Sequence, residues 1–433
     1  MKTIRYRPNQ ILAMAGVISG VATIAPPALA VDFSAAVGAE AAYSTNSDRA
    51  PMDEVQQWIF SPSLDVGVTH ESRALEWESA YSYQRRIYQQ DRFDDENALT
   101  GTTELQWNAV PERLILNLEH FQTESTIDSI RSNTPDNRQE SSRASGSVTY
   151  QQPTIGRQYL SFTGTYTDQS FEETDNDSET TEVEVAYAIP LNEVRGYEVF
   201  AAESSTEFDN FSSAGYDSRK GGLRFYSATP SGSLQIEAGY TETDPDGIAD
   251  ETSGVTGSID LQRGLNAPFQ WGILASRNIS DRSGQLDRGT IDFFDEGELL
   301  DTGSTNVFIE TIFRLSVASR VGPNLFRAAV NTADNDYENA TLDTETRTIS
   351  FGLDRNVSEN TQLELELSVS EQEFDVTDRS DDLYIGRLSF SWDRTSRLQL
   401  SSSIAYQERD SDSAQASFKE WIGTVSVTYV LAE

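Results

Sequence analysis

The chain has 433 residues, no cysteine, two histidines, and 70 acidic against 32 basic residues, for a formal net charge of −38. Phosphate-binding surfaces are basic, so this balance excludes nucleic acid as a partner. The absence of cysteine leaves no disulfide framework, and a mean hydropathy of −0.49 counts against a helical membrane protein but not against a barrel, where every second residue faces water.

Lys2, Arg5 and Arg7 precede an apolar run from Ile11 to Ile24, and Ala28-Leu29-Ala30 supplies a small-x-small cleavage pattern. Together they predict a cleaved secretory signal peptide over 1–30 and a mature chain over 31–433. The leader holds three basic and no acidic residues, so the mature chain carries −41 (−38 minus 3).

From Val31 to Leu431 an apolar/polar alternation recurs without a helical period. Leu363-Glu364-Leu365-Glu366-Leu367-Ser368-Val369 is its cleanest instance, with three Leu and one Val on one face of a strand and Glu364, Glu366 and Ser368 on the other. A soluble sandwich or solenoid and a membrane barrel both satisfy that pattern. The leader, the lack of any apolar run of about 20 residues after it, and the absence of linkers or composition shifts favour one continuous closed sheet. In chain order the alternation predicts strands near 32–45, 56–70, 74–88, 98–109, 114–124, 142–151, 158–170, 180–189, 196–207, 217–227, 232–243, 253–263, 268–280, 305–318, 324–334, 344–355, 361–374, 383–392, 397–408 and 418–431. The expected fold is all-β: a transmembrane antiparallel up-and-down β-barrel of 18 to 20 strands.

The connections alternate as well. Short ones are Glu71-Ser72, Val110 to Arg113, Pro153 to Gly156, Thr229 to Ser231 and Asp393 to Ser396. Longer, acidic ones are Asn46 to Val55, Asp91 to Asn97, Ser125 to Glu140, Phe171 to Glu179, Asp244 to Glu251, Arg282 to Ser304, Asp375 to Asp382 and Arg409 to Ala416. Short periplasmic turns opposite long outer loops are the pattern of outer-membrane barrels. The loop acids are solvated and mutually repelling on the simplest reading. Asp244-Pro245-Asp246-Gly247 with Asp250 and Glu251 lacks the full spacing of a calcium loop, so no metal site is expected.

Alternation assigns faces. Leu75, Trp77, Tyr81 and Tyr83 are expected to meet lipid while Glu76, Glu78, Ser82 and Gln84 point inward, and Leu388, Phe390 and Trp392 point out while Arg387, Ser389 and Ser391 point in. All six tryptophans lie in predicted strands, several near strand ends where interfacial girdles form. The predicted lumen-lining carboxylates are Asp65, Glu76, Glu78, Glu104, Glu119, Glu182, Glu184, Glu237, Asp260, Glu310, Glu364 and Glu366, with Arg224, Arg277, Arg314 and Arg387 as inward basic residues. Such a lining favours cations or neutral solutes, unless the groups pair across strands. The Arg282 to Ser304 loop, with Phe293-Phe294 at its centre, is the one long enough to gate or plug the barrel.

Enzymatic chemistry lacks a motif. There is no G-x-S-x-G elbow and no H-E-x-x-H. His70 falls at a predicted periplasmic turn, and His120 shares the lipid-facing parity of Leu116 and Leu118. An outer-membrane hydrolase would need a serine beside His120. No catalytic residue and no cofactor are therefore expected.

Several stretches resemble the β-barrel porin family found in Gram-negative exopolysaccharide gene clusters, including exosortase-type clusters. They are Trp58-Ile59-Phe60-Ser61-Pro62-Ser63-Leu64; Tyr81, Tyr83 and Tyr88; Leu99-Thr100-Gly101 with Trp107; and Asn133-Thr134-Pro135-Asp136-Asn137-Arg138-Gln139. The resemblance implies an integral barrel taking part in export or surface display of a polysaccharide, and it supplies no catalytic residues. A general or solute-specific diffusion porin, a barrel hydrolase, and a structural barrel that anchors surface polymer without a conducting lumen are the alternatives. The expected partners are outer-membrane lipid and lipopolysaccharide, the barrel assembly machinery, the polysaccharide and periplasmic export components. An acidic lining does not suit a strongly anionic polymer.

Overall fold

The computed structural model describes residues 31–432, apart from 53, 91, 128–133, 175, 210–214, 247–250, 281–306, 338–342, 376–378 and 414–415. The expected signal peptide and the Phe293-Phe294 gate lie outside the described residues. The described residues form twenty strands: β1 (Asp32–Ser44), β2 (Gln57–Glu71), β3 (Leu75–Tyr88), β4 (Glu96–Val110), β5 (Leu114–Thr126), β6 (Arg138–Pro153), β7 (Tyr159–Phe171), β8 (Ser178–Asn192), β9 (Arg195–Phe208) and β10 (Tyr216–Thr229) make the first half. β11 (Gly232–Pro245), β12 (Thr252–Arg263), β13 (Phe269–Ser280), β14 (Phe308–Val321), β15 (Asn324–Asp336), β16 (Thr344–Ser358), β17 (Thr361–Phe374), β18 (Arg379–Thr395), β19 (Leu398–Ser411) and β20 (Phe418–Ala432) make the second. The predicted strands fall on these one for one, with ends displaced by four residues or fewer.

Each strand pairs antiparallel with the next, and β20 pairs back with β1 from Ser44↔Ile422 down to Ala35↔Ala432. The sheet is therefore a closed up-and-down barrel with no free edge. Nine connections of two to five residues follow the even-numbered strands, and because the strands are antiparallel these nine all lie at one end. The other ten, all but one of them longer, lie at the opposite end. Register shifts at Ala35/Ala36, Asn108/Val110, Pro190/Asn192, Asn356/Ser358 and Asp393/Thr395 gather at the short-turn end, where bulges let tilted strands turn tightly.

Burial is inverted relative to a soluble protein. Trp58, Phe60, Leu64 and Val66 on β2, Val183 and Val185 on β8, Leu367 and Val369 on β17 and Val425, Val427 and Tyr429 on β20 all stand exposed. Their neighbours of opposite parity, such as Gln57, Ser61, Ser370 and Glu420, are buried. An apolar band around a polar interior is what lipid demands of a strand-built span, because every backbone group is satisfied between strands and only the outward side chains meet hydrocarbon.

All six tryptophans share the outward parity: Trp58 and Trp421 near the long-loop end, Trp77, Trp107, Trp271 and Trp392 near the short-turn end. On β2 the step from Trp58 to His70, which pairs with Trp77, is twelve residues. That is about 40 Å along a strand, or about 30 Å along the membrane normal at a tilt near 40°, which is one hydrocarbon thickness. Arg219 with Glu203, and Arg347 with Glu345 and Glu371, form exposed outward pairs just beyond this band at the long-loop end. The architecture is that of a porin-like outer-membrane barrel.

Candidate functional site

The inner wall carries the chemistry, and the pairing register brings together groups far apart in the chain. Glu78 faces Glu104 across β3–β4, and Glu104 faces Glu119 across β4–β5, so three carboxylates stand in one row. Glu76 lies two residues below the row and Asp65 on the adjacent β2, opposite Ser82. None of the five makes a hydrogen bond or ion pair among the described residues. Glu76, Glu78, Glu104 and Glu119 are solvent-exposed although they share the inward parity. Like charges directly opposite on a sheet are destabilising, and only water keeps such a row ionised.

Other predicted carboxylates are neutralised. Arg224 on β10 bonds Glu237 at 3.0 Å, Glu198 at 3.1 Å and Glu184 at 3.3 Å, while Lys220 lies 2.5 Å from Glu237. Arg224 also stacks on Phe200, 4.5 Å from the ring centroid. Arg327 on β15 joins Asp354 and Glu364, both at 2.9 Å, and Glu366 pairs in register with Arg387. Cross-strand pairing thus removes part of the predicted negative lining. Glu182, Asp260, Glu310 and Arg314 also take the inward parity, with Glu310 only 5 % exposed. Among the described residues Arg314 on β14 has no bonded partner, and it stands ten of twenty strands round the barrel from Glu104 on β4, on the opposite arc of the wall.

One assignment needs correction. Arg277 faces outward: it pairs with Gly257 and Thr311, the parity of exposed Ile259 and Phe313, and donates to Thr311 Oγ1 at 3.2 Å. β13 carries apolar residues on both parities, Ile273 and Leu274 side by side, so its own alternation is ambiguous and its neighbours fix the facing.

Towards the long-loop end arginines gather among carboxylates, which sequence reasoning did not single out. The first loop folds inward so that Arg49 reaches Glu420 at 3.0 Å and Gln407 at 2.8 Å and stacks on Phe418 at 5.2 Å, with Glu420 also accepting from Ser44 at 2.6 Å. Arg86 clamps both oxygens of Glu124, at 2.7 and 2.6 Å. Arg379 and Arg409 share Asp381, with Arg379 Nη2 at 2.5 Å. Among the described residues Arg138 comes within 4.0 Å of Glu96. Burial lowers the pKa of the Arg49 guanidinium, an effect opposed by Glu420 and reinforced by the nearby charge of Arg138. Arg86 was legible, since it continues the inward parity of Ser82 and Gln84. Arg49 and Arg138 flank loops and carried no alternation to place them.

The two histidines make no catalytic pair. His120 Nδ1 meets the Tyr81 hydroxyl at 2.6 Å, and Tyr81 in turn contacts Thr103 Oγ1 at 3.0 Å. Ser79 bonds Thr103 at 2.9 Å and accepts from Trp77 Nε1 at 2.7 Å, so it does not touch His120. All five groups share the outward parity. His70 is buried at a short turn, opposite Trp77. Among the described residues no cluster of His, Asp or Glu could hold a metal ion.

No family model matches the chain, and no curated protein matches it. Among solved structures it is similar to OccK2 (OpdF) of Pseudomonas aeruginosa, at 9 % identity and a TM-score of 0.42, covering 93 % of this chain and 98 % of that one. A BenF-like porin from Pseudomonas fluorescens aligns at 10 % identity and a TM-score of 0.43, over 93 % and 99 % of the two chains. The ferric enterobactin receptor PfeA of Pseudomonas aeruginosa aligns at 8 % identity and 0.48, over 92 % and 80 %. At these values the likenesses do not bear on cargo or mechanism.

Proposed function

We propose that the chain is a non-enzymatic, porin-like conduit of the outer membrane whose cargo is a saccharide chain in export or surface display. The observation that carries the conduit is the Glu78–Glu104–Glu119 row: three carboxylates that point inward, have no partner and yet are exposed to solvent. A filled lumen would have to pair or neutralise them. The saccharide rests on the family resemblance and on wall chemistry. Between the charged clusters the inner parity is rich in hydroxyls and amides, among them Ser63, Ser82, Thr100, Ser145, Thr163, Asn331 and Thr348, which suit a hydroxyl-covered polymer. The opposed charges of Glu104 and Arg314 set a transverse field that orients such a chain without binding it tightly.

Single-channel conductance of the refolded mature protein tests this reading. We expect steady, cation-selective current that a neutral oligosaccharide interrupts. Current that the sugar never interrupts would instead indicate a general diffusion porin, and silence would overturn the conduit.

A further inference from the structure

The loop-end mouth is chemically unlike the rest of the molecule. In a mature chain of −41, Arg49, Arg86, Arg379 and Arg409 gather at this mouth against Glu96, Glu124, Asp381 and Glu420, and Arg138 at the start of β6 comes within 4.0 Å of Glu96. Placing guanidiniums within reach of one another, as Arg49 is of Arg138 and Arg409, costs free energy that an isolated ion pair would not.

Two groups in this mouth are buried with donors unused. Gln57 is 1 % exposed, and neither its Oε1 nor its Nε2 has a hydrogen-bond partner. It pairs in register with Ser44, which donates to Glu420, the carboxylate that holds Arg49. Arg138 Nε is likewise buried without a partner, and the nearest carboxylate to that side chain, Glu96, is beyond hydrogen-bond distance. Buried N–H groups left open are costly, so natural proteins fill them with protein, water or ligand. Charged, hydrogen-bonded oxygens are the acceptors that guanidinium and amide donors together fit best.

We propose that this mouth, between Arg49 and Arg138 and beside Gln57, binds an oxyanion carried on a saccharide, so that the cargo is an acidic glycan. The inference rests on the saccharide reading above. It also accounts for an acidic barrel passing an acidic chain. The unpaired Glu78–Glu104–Glu119 row lies towards the short turns, and a chain that has passed it meets guanidiniums at the exit.

The test uses the full mature barrel in a planar bilayer with three probes: trigalacturonate, a sulfated trisaccharide and maltotriose. On the wild type, an acidic trimer presented at the long-loop mouth should interrupt the current at concentrations about tenfold below maltotriose. The more potent of the two acidic trimers identifies the oxyanion. Arg138→Gln should remove most of that advantage while leaving maltotriose block unchanged. Gln57→Leu keeps every charge and should weaken acidic block by several-fold, a readout independent of any damage done by losing an arginine. Equal potency of all three trimers on the wild type overturns the oxyanion site and leaves the saccharide reading standing. Current that no trimer interrupts overturns the saccharide reading, and this inference with it.

Discussion

Arg224 and Glu237 face each other in the β10–β11 register with Nε and Oε2 3.0 Å apart, and the same guanidinium holds Glu184 and Glu198 from β8 and β9. One cation thus ties four strands of the inner wall. Arg224→Ala leaves three carboxylates facing one another. The hub is about one fifth exposed, so screening reduces the loss below that of a fully buried pair. We expect destabilisation of about 1–3 kcal/mol, read as a lower urea midpoint for the barrel in vesicles. Arg224→Lys should recover part of the stability, since it keeps the charge but not the fork.

The carboxylate row has an opposite sign of effect. Replacing Glu104, the central member, with Gln removes two like-charge oppositions and should raise stability by a few tenths of a kcal/mol. The same change should move the reversal potential in a salt gradient towards zero, because the row sets three unpaired carboxylates side by side in the lining. A variant more stable but equally selective would place the selectivity elsewhere.

His120→Ala deletes the acceptor or donor that Tyr81 meets on the lipid face. The expected cost is about 1 kcal/mol, with conductance unchanged. Vesicles containing a fluorogenic phospholipid should show the same background hydrolysis for wild type and variant. A turnover abolished by the substitution would revive the hydrolase alternative.

Gly101 has φ +156°, and a Cβ there would collide with Ala80 O and lie 2.6 Å from Tyr81 Cδ1. The Tyr81 ring covers this glycine on its way to His120. Gly101→Ala should therefore cost about 1–3 kcal/mol through overpacking and alter the Tyr81 environment, seen as a changed near-ultraviolet circular dichroism band.

The outward tryptophans make the orientation measurable. Lipids carrying bromine near the headgroup should quench the intrinsic fluorescence more strongly than lipids brominated at the chain end, because both girdles lie at the interfaces. Stronger quenching from the bilayer centre would contradict the girdle heights.

The strands were readable because hydrocarbon on one side and water on the other force a period of two, and segments such as Leu363 to Val369 obey it without exception. Facing failed at Arg277, where Ile273 and Leu274 occupy both parities. The charged mouth was hidden for a different reason. Arg49 and Glu420 are 371 residues apart, and only closure of the last strand onto the first makes them neighbours. Likewise the alternation put Glu184 and Glu364 on the inner parity, but it held no information about which arginine they would meet.

Behind Glu78, Glu104 and Glu119 stand Ser79, Thr103 and His120, paired in the same register on the opposite face. At that height three consecutive strands are polar on both sides. A fatty acyl tail resting there finds hydroxyls and an imidazole in place of methyl groups, and so gains less than it does against Leu367 or Val183. The apolar band is consequently uneven, and along β3–β5 it offers a neighbouring lipid a weaker hold.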